Sequence, residues 1–364
     1  MAKAHSSTRI RAAVLRSHGE PLKIEPLELD VPRDDEILVR IVATGICHTD
    51  IGLYRDWNET DGPAVLGHEG AGIVERCGSQ IRSVHGGDHV VLSYQSCGRC
   101  AQCFAGHPWG CRRFREANFG FARLDGSNAF VHSKVRGHFF GQSSFATYCL
   151  ATERNTVEVP EDLDLRILAP LGCGIQTGAG TVMNSLSVRS GESIAVFGTG
   201  AVGLAAIMAA RVVGASTIIG VDVNVRRLEL ARELGATEVV NAREKDTSVA
   251  LGGRRFDYTV DTTGDEHILR LAVQLLKPAG VAALLTGARS SVLPTESQRA
   301  LQVIQGNAVP QSFIPRLTDL YRAGQFPFDR LIKVYDFEDI NEAIADAELG
   351  ETIKPVLRMP EIPA

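Results

Sequence analysis

The amino-acid sequence predicts an α/β protein made of two parts, a barrel-like β domain and a doubly wound parallel sheet. Up to about Cys149, apolar residues recur at every second position in short runs broken by glycine and proline, the pattern of strands with one buried face. From Ser193 onward, continuous apolar runs alternate with helical patterns, as in a parallel sheet covered on both faces. Between these regions lies a glycine-rich stretch, Gly174–Gly180, suited to a boundary.

The chain has 364 residues, enough for two domains with substantial cores. It is 44% apolar and 22% charged, ordinary for a soluble globular protein. A formal net charge of -5 gives no general attraction to nucleic acid or to an anionic membrane, so neither is expected as a partner. Residues 1–20 lack a signal-type apolar region. The longest apolar stretch, 195–223, carries Arg211 and five glycines and does not suit a membrane span. A cytoplasmic location is expected, and eight cysteines there read as metal ligands or free thiols rather than disulfides.

In order, Ile10, Ala12 and Val14 alternate, as do Ile37, Val39 and Ile41, and short apolar runs follow at 70–74 and His89–Leu92. These are read as antiparallel strands. Ser193–Phe197 is a strand buried on both faces. After it, Val202, Leu204, Ala205, Met208 and Val212 share one helical face. A strand over 217–221 ends at Asp222, and a helix over 226–234 is closed by Gly235. Later strands are expected at 257–261 and 281–285. A helix is expected over 315–323, and Phe337, Ile340, Ile344 and Ala347 mark a final amphipathic helix. A last strand over 352–357 returns to the first domain. The expected domains are 1–175, with a cysteine lobe over 95–113, then 176–304, then 305–364 completing the first domain.

Three groups of residues carry chemistry. Cys47, His48, Thr49 and Asp50 follow a predicted strand and place a thiol, an imidazole, a hydroxyl and a carboxylate side by side. Gly67-His68-Glu69-Gly70 adds an imidazole and a carboxylate between glycines, and Leu171-Gly172-Cys173-Gly174 adds a second thiol. Thiolate and imidazole are preferred zinc ligands, and a catalytic zinc takes three from the protein and leaves one position open. Cys47, His68 and Cys173 make such a set, with two thiolates balancing the metal charge; the open position would take an alcohol or water and acidify its proton. The second group is Cys97, Cys100, Cys103 and Cys111, within fifteen residues. Four thiols can close a tetrahedral structural zinc site, and Arg99, Arg112, Arg113 and Arg115 can offset its negative charge. The third is Gly198-Thr199-Gly200-Ala201-Val202-Gly203, preceded by a strand, followed by a helix, with Asp222 nineteen positions after Gly203. That is a dinucleotide fingerprint: Gly198 permits the turn, Gly200 the approach of the pyrophosphate and Gly203 helix–strand packing. Asp222 would accept from the ribose hydroxyls and repel a 2′-phosphate, favouring NAD over NADP. Cys77 and Cys149 are assigned to the core.

Together these motifs resemble the zinc-dependent medium-chain alcohol dehydrogenases over nearly the whole chain. The resemblance implies a GroES-like β-barrel catalytic domain, a Rossmann coenzyme domain and two zinc ions per chain, one catalytic and one structural. Leu66-Gly67-His68-Glu69-Gly70-Ala71-Gly72, Leu171 through Gly178, and Gly306 with Pro310-Gln311-Ser312-Phe313-Ile314-Pro315 are similar to the aryl (benzyl) alcohol dehydrogenase branch. Polyol dehydrogenases carry a glutamate where Ala169 stands here.

The resemblance further implies that an alcohol gives a hydride to NAD⁺ and becomes the aldehyde, with Thr49 accepting the alcohol proton. Asp50 would hold the outer nitrogen of His68, and Glu69 would lie behind the metal. His48 and Lys354 would contact the pyrophosphate, Thr177 the nicotinamide, and Arg227 the cofactor. Many relatives end the proton relay with a histidine where this chain has Gly52, so His48 or water would serve. Trp57, Ser93, Tyr94 and Phe119 are candidates for the substrate pocket, with the small Ser93 leaving room for a ring. A homodimer or homotetramer is expected. The alternatives are a glutathione- or mycothiol-adduct (formaldehyde) dehydrogenase and a zinc-thiolate redox or binding protein without catalysis.

Overall fold

In a computed structural model of the chain, residues 6–244, 247–285 and 300–361 are described. The chain forms two units. The first comprises Met1–Cys173, Val309–Pro315 and Leu331–Ala364; the second comprises Gly174–Ala308 and Arg316–Arg330. The changeovers expected at 175/176 and 304/305 thus fall at 173/174 and 308/309, and residues 316–330 group with the second unit rather than completing the first.

The first unit is mostly antiparallel. Thr8–Leu15 pairs with Lys23–Leu29 and with Ala64–Val65 in a small sheet. A larger sheet runs Ile332–Asp336, Lys354–Arg358, Ile37–Gly45, Glu69–Cys77, His89–Leu92, Thr156–Glu158, with Tyr148–Ala151 also on Ile37–Gly45. Ile37–Gly45 is central, and its residues are buried or half-buried throughout. It places Gly45 opposite Glu69 on one side and opposite Val356 on the other. The register therefore brings three segments far apart in sequence to one end of the sheet. Cys149 is buried in the core, and Cys77 is half-buried with its thiol 3.4 Å from the Val84 carbonyl.

The region up to Cys149, read as strands alone, also contains a nine-residue helix, His48–Asp56. It starts directly after the motif cysteine because Asp50 folds back to accept from the Cys47 backbone N–H at 3.0 Å, capping the first turn. Sequence patterning misses it because Gly52 and the flanking polar residues blur the 3.6-residue period.

The second unit holds a six-stranded parallel sheet in the order Glu238–Asn241, Thr217–Asp222, Ser193–Phe197, Phe256–Asp261, Leu276–Leu284, Ala300–Gln302. That is the doubly wound 3-2-1-4-5-6 order, with the switch point at Ser193–Phe197. The helix expected from residue 315 begins at Pro310, where the missing proline N–H costs no bond because a first-turn N–H has no partner. No described helix is long and apolar enough to cross a membrane.

Candidate active site

The end of the Ile37–Gly45 strand delivers Cys47, and the start of Glu69–Cys77 delivers His68 and Glu69. Cys173 follows the short helical turn Ala169–Gly172. One ligand atom from each of Cys47, His68, Glu69 and Cys173 lies within 4.8 Å of the others. His68 is fully buried, and its Nε2 has no hydrogen-bond partner. An orphaned buried imidazole nitrogen is costly unless something binds it, and here two thiols and a carboxylate share its cavity. The donor set fits a zinc ion.

The other imidazole nitrogen is occupied. His68 Nδ1 lies 3.0 Å from Asp50 Oδ1, which also accepts from the Gly67 N–H at 3.0 Å. This is the contact that fixes a ligand histidine's orientation and leaves Nε2 for the metal. A ring stacks on the other side: Phe140 lies 4.5 Å from the His68 ring centre at 28°, and Phe139 meets it edge-on at 5.4 Å. A hydrogen bond from Cys173 holds the Cys47 thiol well below its ordinary pKa, with Lys354 and His68 acting in the same sense, and the same contact raises Cys173.

Lys354, expected at a pyrophosphate, lies beside Glu69. It is 2% exposed, and its ammonium donates to both carboxylate oxygens of Glu69, at 2.9 and 3.0 Å, and to the Ile46 carbonyl at 3.2 Å. A buried ammonium survives only with such partners, so Lys354 is anchored beside the Cys47, His68, Glu69 and Cys173 cluster. Burial pushes the Glu69 carboxyl up to about 7 against the pull of Lys354. Gly45 makes the approach possible, since a Cβ there would sit 2.0 Å from Glu69 Oε2.

Thr49 is half-buried with its hydroxyl 3.9 Å from Cys47 Sγ, and His48 is exposed at the start of its helix. Of the pocket candidates, Trp57 and Tyr94 are core residues. Trp57 donates to the Gly62 carbonyl at 3.0 Å and meets Phe121 edge-on; Tyr94 is 1% exposed and packs against Phe114. Large aromatic rings fill cores at least as often as they line pockets, and their spacing in the sequence does not separate the two. Ser93 is buried and donates to the Gly172 carbonyl at 2.7 Å, bracing the residue before Cys173. Phe119 remains partly exposed beside Phe139 and Phe140.

Cys97, Cys100, Cys103 and Cys111 also converge within 4.8 Å. Backbone N–H groups of Cys97 and Arg112 point at the sulfurs of Cys111 and Cys100, at 3.3 and 3.5 Å. Such donors favour thiolates, and four of them fit a closed tetrahedral zinc site.

In the second unit, Gly198 takes φ +87°, a Cβ on Gly203 would lie 1.9 Å from the Gly198 carbonyl, and nothing lies within 4 Å of a Cβ on Gly200. The backbone is therefore open where a pyrophosphate needs room. Asp222 Oδ2 accepts from the N–H and hydroxyl of Thr199 at 2.6 and 2.8 Å, and Oδ1 from the N–H groups of Val223 and Asn224 at 2.7 and 2.9 Å. Arg227 has its Nε buried without a hydrogen-bond partner. Thr177 has its hydroxyl 3.4 Å from Gln305 Oε1.

A family profile described as the alcohol dehydrogenase GroES-like domain matches residues 33–161, and one described as zinc-binding dehydrogenase matches 201–309. Geraniol dehydrogenase of Castellaniella defragrans is 44% identical over 362 residues, 95% of this chain and 97% of that protein. The chain belongs to the zinc-dependent medium-chain alcohol dehydrogenases. Benzyl alcohol dehydrogenase from Acinetobacter calcoaceticus superposes on this dehydrogenase with a TM-score of 0.92 at 42% identity, covering 97% of this chain and 100% of its own. A zinc-binding-domain alcohol dehydrogenase protein from Burkholderia ambifaria gives 0.92 at 46% identity, covering 98% and 100%. S-(hydroxymethyl)glutathione dehydrogenase of Escherichia coli is 31% identical, over 96% of this chain and 99% of that protein.

Proposed function

We propose that this dehydrogenase oxidises benzylic and comparably bulky apolar primary alcohols to aldehydes with NAD⁺, reversibly. The observation that carries the reading is the convergence of Cys47, His68, Glu69 and Cys173 within 4.8 Å around an orphaned imidazole nitrogen. The named relatives support the substrate class, since geraniol and benzyl alcohol both carry the carbinol carbon next to a π system.

Cys47, His68 and Cys173 would hold a zinc ion, which would supply Lewis acidity to the alcohol oxygen. Asp50 keeps His68 in the tautomer that presents Nε2. The Thr49 hydroxyl, next to Cys47 Sγ, accepts the alcohol proton. Gly52 leaves its surroundings open within 4 Å, so water completes the relay, and His48 serves the pyrophosphate. The Asp222 carboxylate disfavours a 2′-phosphate, which supports NAD over NADP. Cys97, Cys100, Cys103 and Cys111 hold a second, structural zinc, and the working form is a homo-oligomer.

The test is zinc stoichiometry together with NADH formation on benzylic, allylic, terpenoid and short aliphatic alcohols. Higher kcat/KM for ethanol than for benzyl alcohol overturns the substrate class. Formaldehyde oxidation that requires glutathione selects the thiol-adduct reading. Bound zinc with no NADH from any alcohol selects a binding protein.

A further inference from the structure

The strap that follows Phe140 contains a residue no ligand motif includes. Gln142 is 2% exposed. Its Nε2 donates to the His68 carbonyl at 3.0 Å and to the Ser93 carbonyl at 3.1 Å, while its Oε1 accepts from the Gly70 N–H at 3.1 Å. A flipped amide would set its oxygen against two carbonyls, so the orientation is fixed by its partners. His68 and Gly70 flank Glu69, and Ser93 in turn holds the Gly172 carbonyl at 2.7 Å, one residue before Cys173. A single side-chain amide thus ties the His68–Glu69 segment to the segment that carries Cys173. Gly70 is shaped for this, since a Cβ there would lie 3.0 Å from Gln142 Oε1 and 2.8 Å from Ser144 Cβ. The backbone on either side is held in the left-handed region, with φ 52° at Phe140 and 56° at Ser143, a conformation that persists only where the surroundings impose it.

We propose that Gln142 is a positioning residue for the metal centre, setting the spacing between the His68 and Cys173 ligands before any metal arrives. The proposal rests on the zinc-site reading above. Losing an outer contact of this kind weakens metal binding by roughly 10–100-fold.

The test uses the full-length protein and chelator competition for zinc, with the absorption of the cobalt(II)-substituted centre as a second readout. Gln142→Met should release the Cys47–His68–Cys173 metal at roughly 10–100-fold lower chelator activity and alter the cobalt–thiolate bands, with the four-cysteine metal retained. Asn341→Leu serves as the control, because Asn341 makes two buried-side hydrogen bonds to Leu22 outside the strap. Should Gln142→Met lose thermal stability as the control does but keep wild-type chelator resistance and cobalt spectrum, Gln142 is merely structural and the proposal falls. Gln142→Glu, which keeps the acceptor for Gly70 but loses both donors, gives the same reading if the methionine variant does not fold. In wild-type protein stripped of metal, the Gly70 amide should stay protected from hydrogen exchange; rapid exchange there also overturns the proposal. A wild type that binds no zinc at this site would instead defeat the zinc reading itself.

Discussion

Lys354 and Glu69, 285 positions apart in sequence, form a buried ion pair with both carboxylate oxygens within 3.0 Å of the ammonium. Their side chains are 3% and 0% exposed. Removing Lys354 leaves a buried carboxyl that burial already pushes up to about 7, which must then protonate or stay unpaired, at a cost of at most about 3–5 kcal/mol. Lys354→Met should therefore lower unfolding free energy in urea by that order, and adding Glu69→Gln should recover most of it. The Kd for NAD⁺ in Lys354→Met separates the two roles: little change means that Lys354 serves only Glu69, and a large weakening means that it also serves the pyrophosphate.

Asp50 links its own helix to His68, since one oxygen caps Cys47 and the other holds His68 and Gly67. Asp50→Asn keeps the shape and removes the charge. Zinc affinity at this site should fall roughly 10–100-fold, read by chelator competition, with the four-cysteine site unchanged.

Cofactor choice should follow Asp222. Val223 beside it is 46% exposed and can carry a longer side chain. Asp222→Gly combined with Val223→Arg should raise kcat/KM for NADP⁺ relative to NAD⁺ by at least tenfold, about 1.4 kcal/mol. An unchanged ratio would mean that the carboxylate serves only Thr199 and the following turn.

His138 gives a pH signature. Burial pushes its pKa down to about 4 from an ordinary 6.5. The imidazole therefore stays neutral in the fold while the unfolded chain takes up a proton first. Its contribution is complete above pH 6.5 and is lost as pH falls toward 4, by about 3 kcal/mol in all. His138→Asn tolerates the left-handed φ of 69° and does not titrate. Its unfolding free energy should fall less than wild type between pH 7 and pH 4.5 in urea titrations.

The cysteine lobe should be ordered by its metal. Between residues 97 and 111 only Cys111 is buried, and Phe104 is 78% exposed. With so little apolar burial, folding free energy there would come from metal binding. Cys103→Ser should lower zinc content from two to one per chain and expose 97–111 to proteolysis before the first unit unfolds.

Much of this architecture is legible in the sequence because period and spacing are local. Ser193–Phe197, the fingerprint and Asp222 follow one another within thirty residues, so strand, turn, helix and acidic residue can be read in turn. The ligand types at Cys47, His68 and Cys173 are legible from their chemistry. Partners across long separations are not. A lysine next to the apolar run Pro355-Val356-Leu357 signals a buried counter-charge, yet nothing in the strand says whether that partner is Glu69 or a phosphate. Gln142 lies 74 residues from His68 and offers no metal-ligand signal at all. Trp57 and Tyr94 show the converse: their residue types suit a pocket, and packing places them in the core.

The Lys354–Arg358 strand seats on Ile37–Gly45 only through contacts such as Val356 opposite Gly45. The Glu69 carboxylate therefore meets its cation only once a strand 285 positions further along the sequence has been made and has docked.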